Sequence, residues 1–488
     1  MIPTPKVDWL ALSPTLALLA LSAVTLLGSV IVPRARVRAF SVVVSLLGFA
    51  TSAVLAGIVF ERSEEGTSLI AESMTRDRLG ALAAVVIAVV GVAVVLLSAG
   101  DERRDHVGEY YALVAAAAAG MVFFVTAANL MTLFLALEWF SISLYVLCAL
   151  DTHRKESLES GLKYLIVGSF GSGILLFGCA LVYGATGELG FSAIQQATGA
   201  DDPLFVTGMA MILAGLAFKI SAAPFHMWTP DVYQGAPTGV TAFMAAATKV
   251  AGLVVTLRIL VTAFPEQSEI WTTAVAVLAV ASLAIGNLAA IAQRDVKRML
   301  AYSSVSHAGF LLIAVVANTE DGATALLYYL VPYAAATVGL FAVVASRERE
   351  LRRPVSLSAL EGLGWERPFL GVAMWAFALS MAGFPLTGGF LGKLFVFSAA
   401  YDAGYWWLVV VGVVATALSL AYYLAIVRAL YMRQSQVTGT VVAAGGSPPR
   451  DLLLNTGVGL ALVVTIGSFF AVQPIVDLAR DAAASLPF

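Results

Sequence analysis

Fourteen stretches of this chain are apolar over enough residues to cross a lipid bilayer. They lie at 9–33, 37–60, 79–99, 110–128, 130–149, 161–184, 204–232, 238–263, 270–291, 299–317, 323–346, 368–401, 405–432 and 452–472. A helix needs about 20 apolar residues to span hydrocarbon. Within lipid only a helix or a closed barrel satisfies its own backbone. The pattern therefore confines the chain to one class, an all-α polytopic membrane protein of about 14 transmembrane helices. Composition agrees, with 12% charged residues against roughly 25% in soluble domains. Residues 1–488 read as a single transmembrane domain, because the connections leave no room for a soluble one. The longest are 61–78 and 433–451, and the Gly-Gly-Ser-Pro-Pro of the latter reads as a flexible linker. The start, MIPTPKVDW, lacks the basic flank of a signal peptide, so the first run reads as a retained helix.

Lysine and arginine in short loops set orientation. One alternate set of loops carries Arg34, Arg36, Arg38, Arg103, Arg104, Arg154, Lys155, Arg294, Lys297, Arg298, Arg347, Arg349, Arg352, Arg353, Arg367, Arg433 and Arg450. The other set has only Lys6, Arg62, Arg76, Arg78 and Arg480. The first set is expected in the cytoplasm and both termini outside, as an even number of spans requires.

Two spans are too broken for plain helices. The seventh, 204–232, holds Pro224 and Pro230; the twelfth, 368–401, holds GFPLTGG with Pro385. Proline breaks a helix, and the freed backbone must find a partner in protein or a wet cavity. Paired interruptions mark transport sites built from internal repeats. These two fall five spans apart, which predicts two five-helix units, 110–263 (spans 4–8) and 270–432 (spans 9–13). Five is odd, so the second unit enters from the opposite side as an inverted repeat. An N-terminal three-helix segment, 1–99, and a C-terminal helix and tail, 452–488, flank them.

Four charges stand deep in apolar sequence: Glu138 in NLMTLFLALEWFSISLYVL, Lys219 in MILAGLAFKISAAPF, Lys249 in FMAAATKVAGLVV and Lys393 in GFLGKLFVFSAA. Ionisable groups inside a membrane are costly and mark ion or proton paths. Desolvation disfavours an ammonium, and a carboxylate within about 4–6 Å restores it. A lysine whose carboxylate partner approaches and withdraws is thus a proton site. Glu138 with Lys219 suits that unit, Lys249 the next stop, and Lys393 the one nearest the exit. The bland alternatives are that the lysines hold broken-helix carbonyls and that Glu138 ties helices together. His226, seven residues after Lys219, is a relay or an interfacial cap; His307 is a relay between the halves or a helix hydrogen-bond donor. Tyr145, Ser141, Thr248 and Ser303 are placed to order water between the charges. Asp231, Tyr233 and Gln234 read as caps at the cytoplasmic turn, Glu109 as a helix-start acid, and Arg258 as a snorkelling side chain.

Other chemistry finds no foothold. Cys148 and Cys179 lie in apolar runs without metal spacing, and no glycine-rich phosphate loop follows a strand pattern. No cofactor-binding or metal-ligating residue is expected in this chain.

The stretch FHMWTPDVYQGAP, 225–237, resembles the antiporter-like membrane subunits of respiratory complex I. The family pattern of Lys, Pro-Phe-His-x-Trp-x-Pro, Ala-Pro-Thr and a second Lys falls on Lys219, Pro224 to Pro230, Ala236 to Thr238 and Lys249. LFLALEWFSISLYVL, ESGLKYLIVGSFGSGILLFG and GFPLTGGFLGKLFVF agree with it. The turn DVYQGAPT is similar to the N-type branch of the bacterial NADH–quinone oxidoreductase. It is less like the L- and M-type branches or the Mrp-type cation antiporters, and nothing after 472 is expected to form the long lateral helix of the L type. The resemblance implies fourteen helices in two inverted repeats, the family's acid at Glu138, and its lysines at Lys219, Lys249 and Lys393. It implies a hetero-oligomer in a bacterial plasma membrane, with NADH, FMN, iron–sulfur clusters and quinone in partner subunits and protons moved here. The alternative is an Mrp-type monovalent cation/proton antiporter subunit, which needs no redox partner; a third reading is a membrane scaffold that conducts nothing.

Overall fold

In the chain's computed structural model, residues 7–64, 66–101, 106–197, 202–433 and 451–488 are described. The Gly-Gly-Ser-Pro-Pro linker and Lys6, Arg103, Arg104 and Arg450 lie outside them. The elements run α1 (Trp9–Ile31), α2 (Arg34–Glu61), β1 (Thr67–Leu69), β2 (Met74–Arg76), α3 (Arg78–Ser98), α4 (Val107–Val125), α5 (Leu130–Cys148) and α6 (Lys155–Thr186). They continue with α7 (Phe191–Gln196), α8 (Pro203–Lys219), α9 (Thr229–Gly235), α10 (Thr238–Phe243) and, after a π-turn at Met244–Thr248, α11 (Lys249–Ala263). The second half holds α12 (Ser268–Ile291), α13 (Val296–Val316), α14 (Glu320–Leu351), α15 (Leu363–Glu366), α16 (Pro368–Ala382), α17 (Gly388–Asp402) and α18 (Trp406–Met432). The chain ends with α19 (Leu452–Phe470) and α20 (Val472–Ala483).

Among the described residues, twelve helical segments are long and apolar enough to span a membrane, counting α10, the π-turn and α11 as one. The two spans expected to break are pairs of shorter helices, α8 with α9 and α16 with α17. Together they make fourteen passes. Helix starts follow the capping rule that a short polar side chain accepts from the first free amides. Asp8, Asp77, Asn129, Asp202, Asp295, Thr319 and Asp451 each do so. Several helices outrun their apolar stretch: α6 begins at Lys155 and α14 ends at Leu351, because a helix can extend past the hydrocarbon into water.

The breaks have local causes. At the end of α16, Gly383 takes φ +83, its amide bonds the Ser380 carbonyl and that of Phe384 the Leu379 carbonyl. This is a glycine C-cap, and Pro385 forbids continuation. After α8 the same left-handed turn is made by Ser221, φ 58, a conformation uncommon outside glycine. The π-turn before Lys249 releases the Ala245 carbonyl to the Tyr333 hydroxyl at 3.1 Å. Such turns recur at functional sites, and hydropathy alone does not reveal one.

The interior is centred on α10–α11, α13 and α14, while α1, α2, α6, α18 and α19 keep wide apolar faces outward. The loop between the second and third passes carries a hairpin of β1 and β2, which bridges to Ala127. After the last pass, α20 docks on α3 and α14.

Arg258 does not snorkel. It is 3% exposed, and its guanidinium forks onto Asp77, at 2.5 Å to Oδ2 and 2.9 Å to Oδ1, with Thr75 Oγ1 at 3.1 Å. The hairpin delivers Asp77 and Thr75 to the end of α11, a contact between residues 181 apart in sequence. Burial alone would raise the Asp77 carboxyl; the Arg258 guanidinium, with the Gly80 amide and Thr75 hydroxyl, outweighs it and holds it below its ordinary range. Its contribution to stability is therefore present at neutral pH and lost only as pH falls from about 4 through the lowered value. Arg258→Ala strands a buried carboxylate and is expected to cost about 3–5 kcal/mol, read as a lower unfolding temperature in detergent. The joint change Asp77→Asn with Arg258→Met is expected to recover most of the loss.

Candidate functional site

The three mid-span lysines all point inward. Lys219, Lys249 and Lys393 are 3%, 0% and 3% exposed. Among the described residues, none has a carboxylate within 4.0 Å, the limit for an ion pair. Their ammoniums are solvated by hydroxyls, carbonyls and ring faces.

Lys219 ends α8. Its Nζ donates to Ser141 Oγ at 2.8 Å and to Tyr164 Oη at 3.1 Å, and lies 4.3 Å from the Phe140 ring centre. Lys249 opens α11 directly after the π-turn. Its Nζ donates to the Ile220 carbonyl at 2.5 Å and to the Ser304 carbonyl at 2.8 Å. Ile220 is the residue at which the seventh pass breaks, so the backbone freed there becomes a ligand of the next lysine. Lys393 lies in α17, one turn past the second break. Its Nζ donates to the Ala382 carbonyl, the last of α16, at 3.2 Å and lies 4.3 Å from the Phe310 ring centre. Lys219 and Lys393 thus repeat one arrangement, an ammonium over a phenylalanine contributed by the pass two earlier in sequence.

His307 lies between Lys249 and Lys393, 1% exposed. Its Nδ1 is 2.9 Å from Tyr329 Oη and its Nε2 3.1 Å from Tyr423 Oη, and Tyr423 also bonds Ser303. A neutral imidazole has one donor and one acceptor nitrogen, so one tyrosine donates to it and the other accepts. Tyr333 links this group to Lys249: its hydroxyl is 3.2 Å from Ser304 Oγ, and its ring centre 5.3 Å from that of His307. Asn287 and Tyr422, 3.1 Å apart, extend the polar patch.

Glu138 stands apart from this row. It shares a helix face with Met131, Leu135, Ile142 and Val146, all exposed, and is itself half-buried. It makes no ion pair with Lys219, whose acceptor on α5 is Ser141, one turn along from Glu138. One Glu138 carboxylate oxygen is shielded and has no hydrogen-bond partner. His226 is half-buried in the interrupted part of the seventh pass, 6.2 Å from the Tyr302 ring, with Nδ1 unpartnered. Thr248 bonds the Met244 carbonyl of its own helix at 2.6 Å. Asp231 is not the expected cap: α9 has no side-chain cap, and the carboxylate instead pairs with Lys163 at 2.8 Å and with Arg298, whose guanidinium also bonds Gln234.

The sequence reading passed over Tyr164, Tyr329, Tyr333 and Tyr423 as ligands of the charged groups. The available signal was tyrosine within apolar spans, since a buried phenol requires a partner. Lys297, assigned to a loop, is 2% exposed.

A many-pass bundle in which two interrupted helices present lysines to an interior polar row has the architecture of an ion-translocating membrane protein. Residues 127–419 match the family described as NADH:quinone oxidoreductase/Mrp antiporter, TM, and the chain belongs to it. It is 43% identical over 397 residues to an NADH-quinone oxidoreductase subunit N of Salinibacter ruber, covering 79% of both chains. It is 36% identical to subunit N 1 of Herpetosiphon aurantiacus, covering 99% of this chain and 97% of that one. A chain of respiratory complex I from Thermus thermophilus superposes with a TM-score of 0.77 at 33% identity, covering 96% of this chain and 99% of that one.

Ser141→Ala leaves Tyr164 as the hydroxyl partner of Lys219. A hydrogen bond to a charged group is worth about 1.5–3 kcal/mol, and a loss in that range is expected in thermal unfolding of the purified protein. Ser141→Thr, which keeps the hydroxyl, is expected to lose less.

Proposed function

We propose that this chain is a proton-translocating membrane-arm subunit of an NADH:quinone oxidoreductase, coupled to electron transfer carried out in other subunits. The observation that carries the reading is the set of three buried ammoniums that, among the described residues, have no carboxylate partner, with Ser304 and Tyr333 leading from Lys249 toward His307. Each can gain or lose a proton without breaking a structural ion pair. The NADH, FMN, iron–sulfur and quinone sites belong to partner subunits in a hetero-oligomer. The chain itself falls in the translocase class and carries no redox centre.

In this reading Lys219 and Lys249 load from the cytoplasm, His307 passes the proton onward, and Lys393 releases it outside. Glu138 is the acid whose approach to or retreat from Lys219 conveys the coupling signal, and its place on an outward face suits a group that senses a neighbour. His226 serves as a side relay. The two units 110–263 and 270–432 form the inverted repeat, supported by the matching Lys219–Phe140 and Lys393–Phe310 contacts. The basic loops face the cytoplasm of a bacterial plasma membrane, with both termini outside. Moving one charge against about 100 mV requires about 2.3 kcal/mol, which a changing electrostatic contact in a low-dielectric site can supply.

Lys249→Met in the assembled complex is expected to lower the proton-to-electron ratio in sealed vesicles while NADH oxidation continues; an unchanged ratio refutes the reading. Purification in mild detergent is expected to bring flavin and iron–sulfur subunits with this chain. Isolation with small membrane proteins alone would point to an Mrp-type antiporter.

A further inference from the structure

On the basic-loop side, the ends of several passes leave an open cleft. Its walls carry Asp101, His106, Asp151 and His153, and its floor holds Thr238 and Glu348. The chain has four histidines; two line this cleft, and the other two are His226 and His307.

The floor is a mixed-charge group over a buried base. The Thr238 hydroxyl donates to Glu348 Oε2, and Glu348 Oε1 lies 3.9 Å from Lys297 Nζ. Lys297 in turn donates to the Ala236 carbonyl at 2.7 Å and to Thr238 Oγ1 at 3.2 Å. A carboxylate is thus held at the bottom of a water-accessible cleft, on the helix that leads inward. Along α14, Glu348, Thr337, Tyr333 and Tyr329 recur at spacings of 11, 4 and 4, which keeps them within one face of a 3.6-residue helix. The far end of that stripe bonds His307 through Tyr329 and Ser304 through Tyr333. Midway, Thr337 is 3% exposed and its hydroxyl has no hydrogen-bond partner. On α9, whose Tyr233 ring packs against Phe341 of α14, the Tyr233 hydroxyl is also buried and unpartnered. Buried hydroxyls left unsatisfied by protein are where ordered water belongs.

We propose that this cleft is the cytoplasmic proton inlet. Glu348 takes a proton from a hydronium ion in the cleft: an O–H bond forms on the carboxylate as one breaks in the hydronium, and neutral water remains on the cytoplasmic side. The Thr337–Tyr333 face of α14 carries the charge to Ser304, whose carbonyl holds Lys249, and so to His307; the Lys297 contact, weakened while the carboxyl is protonated, returns once the proton has moved on. The inference rests on the proton-translocating reading above and adds the route by which the row is loaded.

The test uses the assembled complex in sealed inverted vesicles, with Lys249→Met as the reference. Glu348→Gln is expected to lower the proton-to-electron ratio to the Lys249→Met level, and Glu348→Asp to keep most of the wild-type ratio. A second variant avoids any folding defect. His153→Cys, at an exposed wall position, is modified after assembly by a bulky, membrane-impermeant thiosulfonate added from the cytoplasmic side. The ratio is expected to fall on modification and to recover on reduction, while the two native cysteines, both buried, leave the unsubstituted protein unaffected. A wild-type ratio in Glu348→Gln or in the modified cysteine variant, with Lys249→Met lowered, overturns the inlet and leaves the function standing. A wild-type ratio in all of them, Lys249→Met included, removes both.

Discussion

An ammonium is costly in hydrocarbon, and so is a helix that stops there with its carbonyls bare. In this protein the two problems answer each other. The carbonyl freed where the seventh pass breaks, that of Ile220, receives the Lys249 ammonium, and the carbonyl ending α16 receives that of Lys393. Without the breaks Lys249 and Lys393 would each lose a carbonyl acceptor, and without these lysines the two carbonyls would lose a donor.

What surrounds the ammoniums sets what they can do. A carboxylate in contact would hold each lysine as a fixed structural cation. Hydroxyls, carbonyls and aromatic faces stabilise charge more weakly and from several directions, so the charge state is adjustable. The phenylalanines under Lys219 and Lys393 add an attraction that does not compete for protons. His307 is held by two tyrosine hydroxyls, one on each ring nitrogen.

The buried Asp77–Arg258 pair has the opposite character. It is bidentate and fully enclosed, and it ties the hairpin to the end of the helix that carries Lys249. A rigid ion pair at one end of α11 and a π-turn at the other leave Lys249 on a segment whose position is closely defined. The contrast between this locked pair and the unpaired lysines separates groups that hold the fold from groups proposed to move protons.

Much of this was legible in the chain itself. Apolar runs of span length and two proline-broken runs determine the number of passes and where the seventh and twelfth are interrupted, because the bilayer enforces length and hydrogen-bond closure locally. The cost of charge in hydrocarbon likewise picks out Glu138, Lys219, Lys249 and Lys393. Only the tertiary structure decided what each charge meets. Ser141 accepting from Lys219, the Ile220 and Ser304 carbonyls converging on Lys249, Arg258 turning inward to Asp77, and Glu348 beside Lys297 are contacts between separate passes or loops, 29 to 181 residues apart in sequence. Hydropathy has no term for them: it reads one helix against lipid, and partner choice is settled by helix against helix.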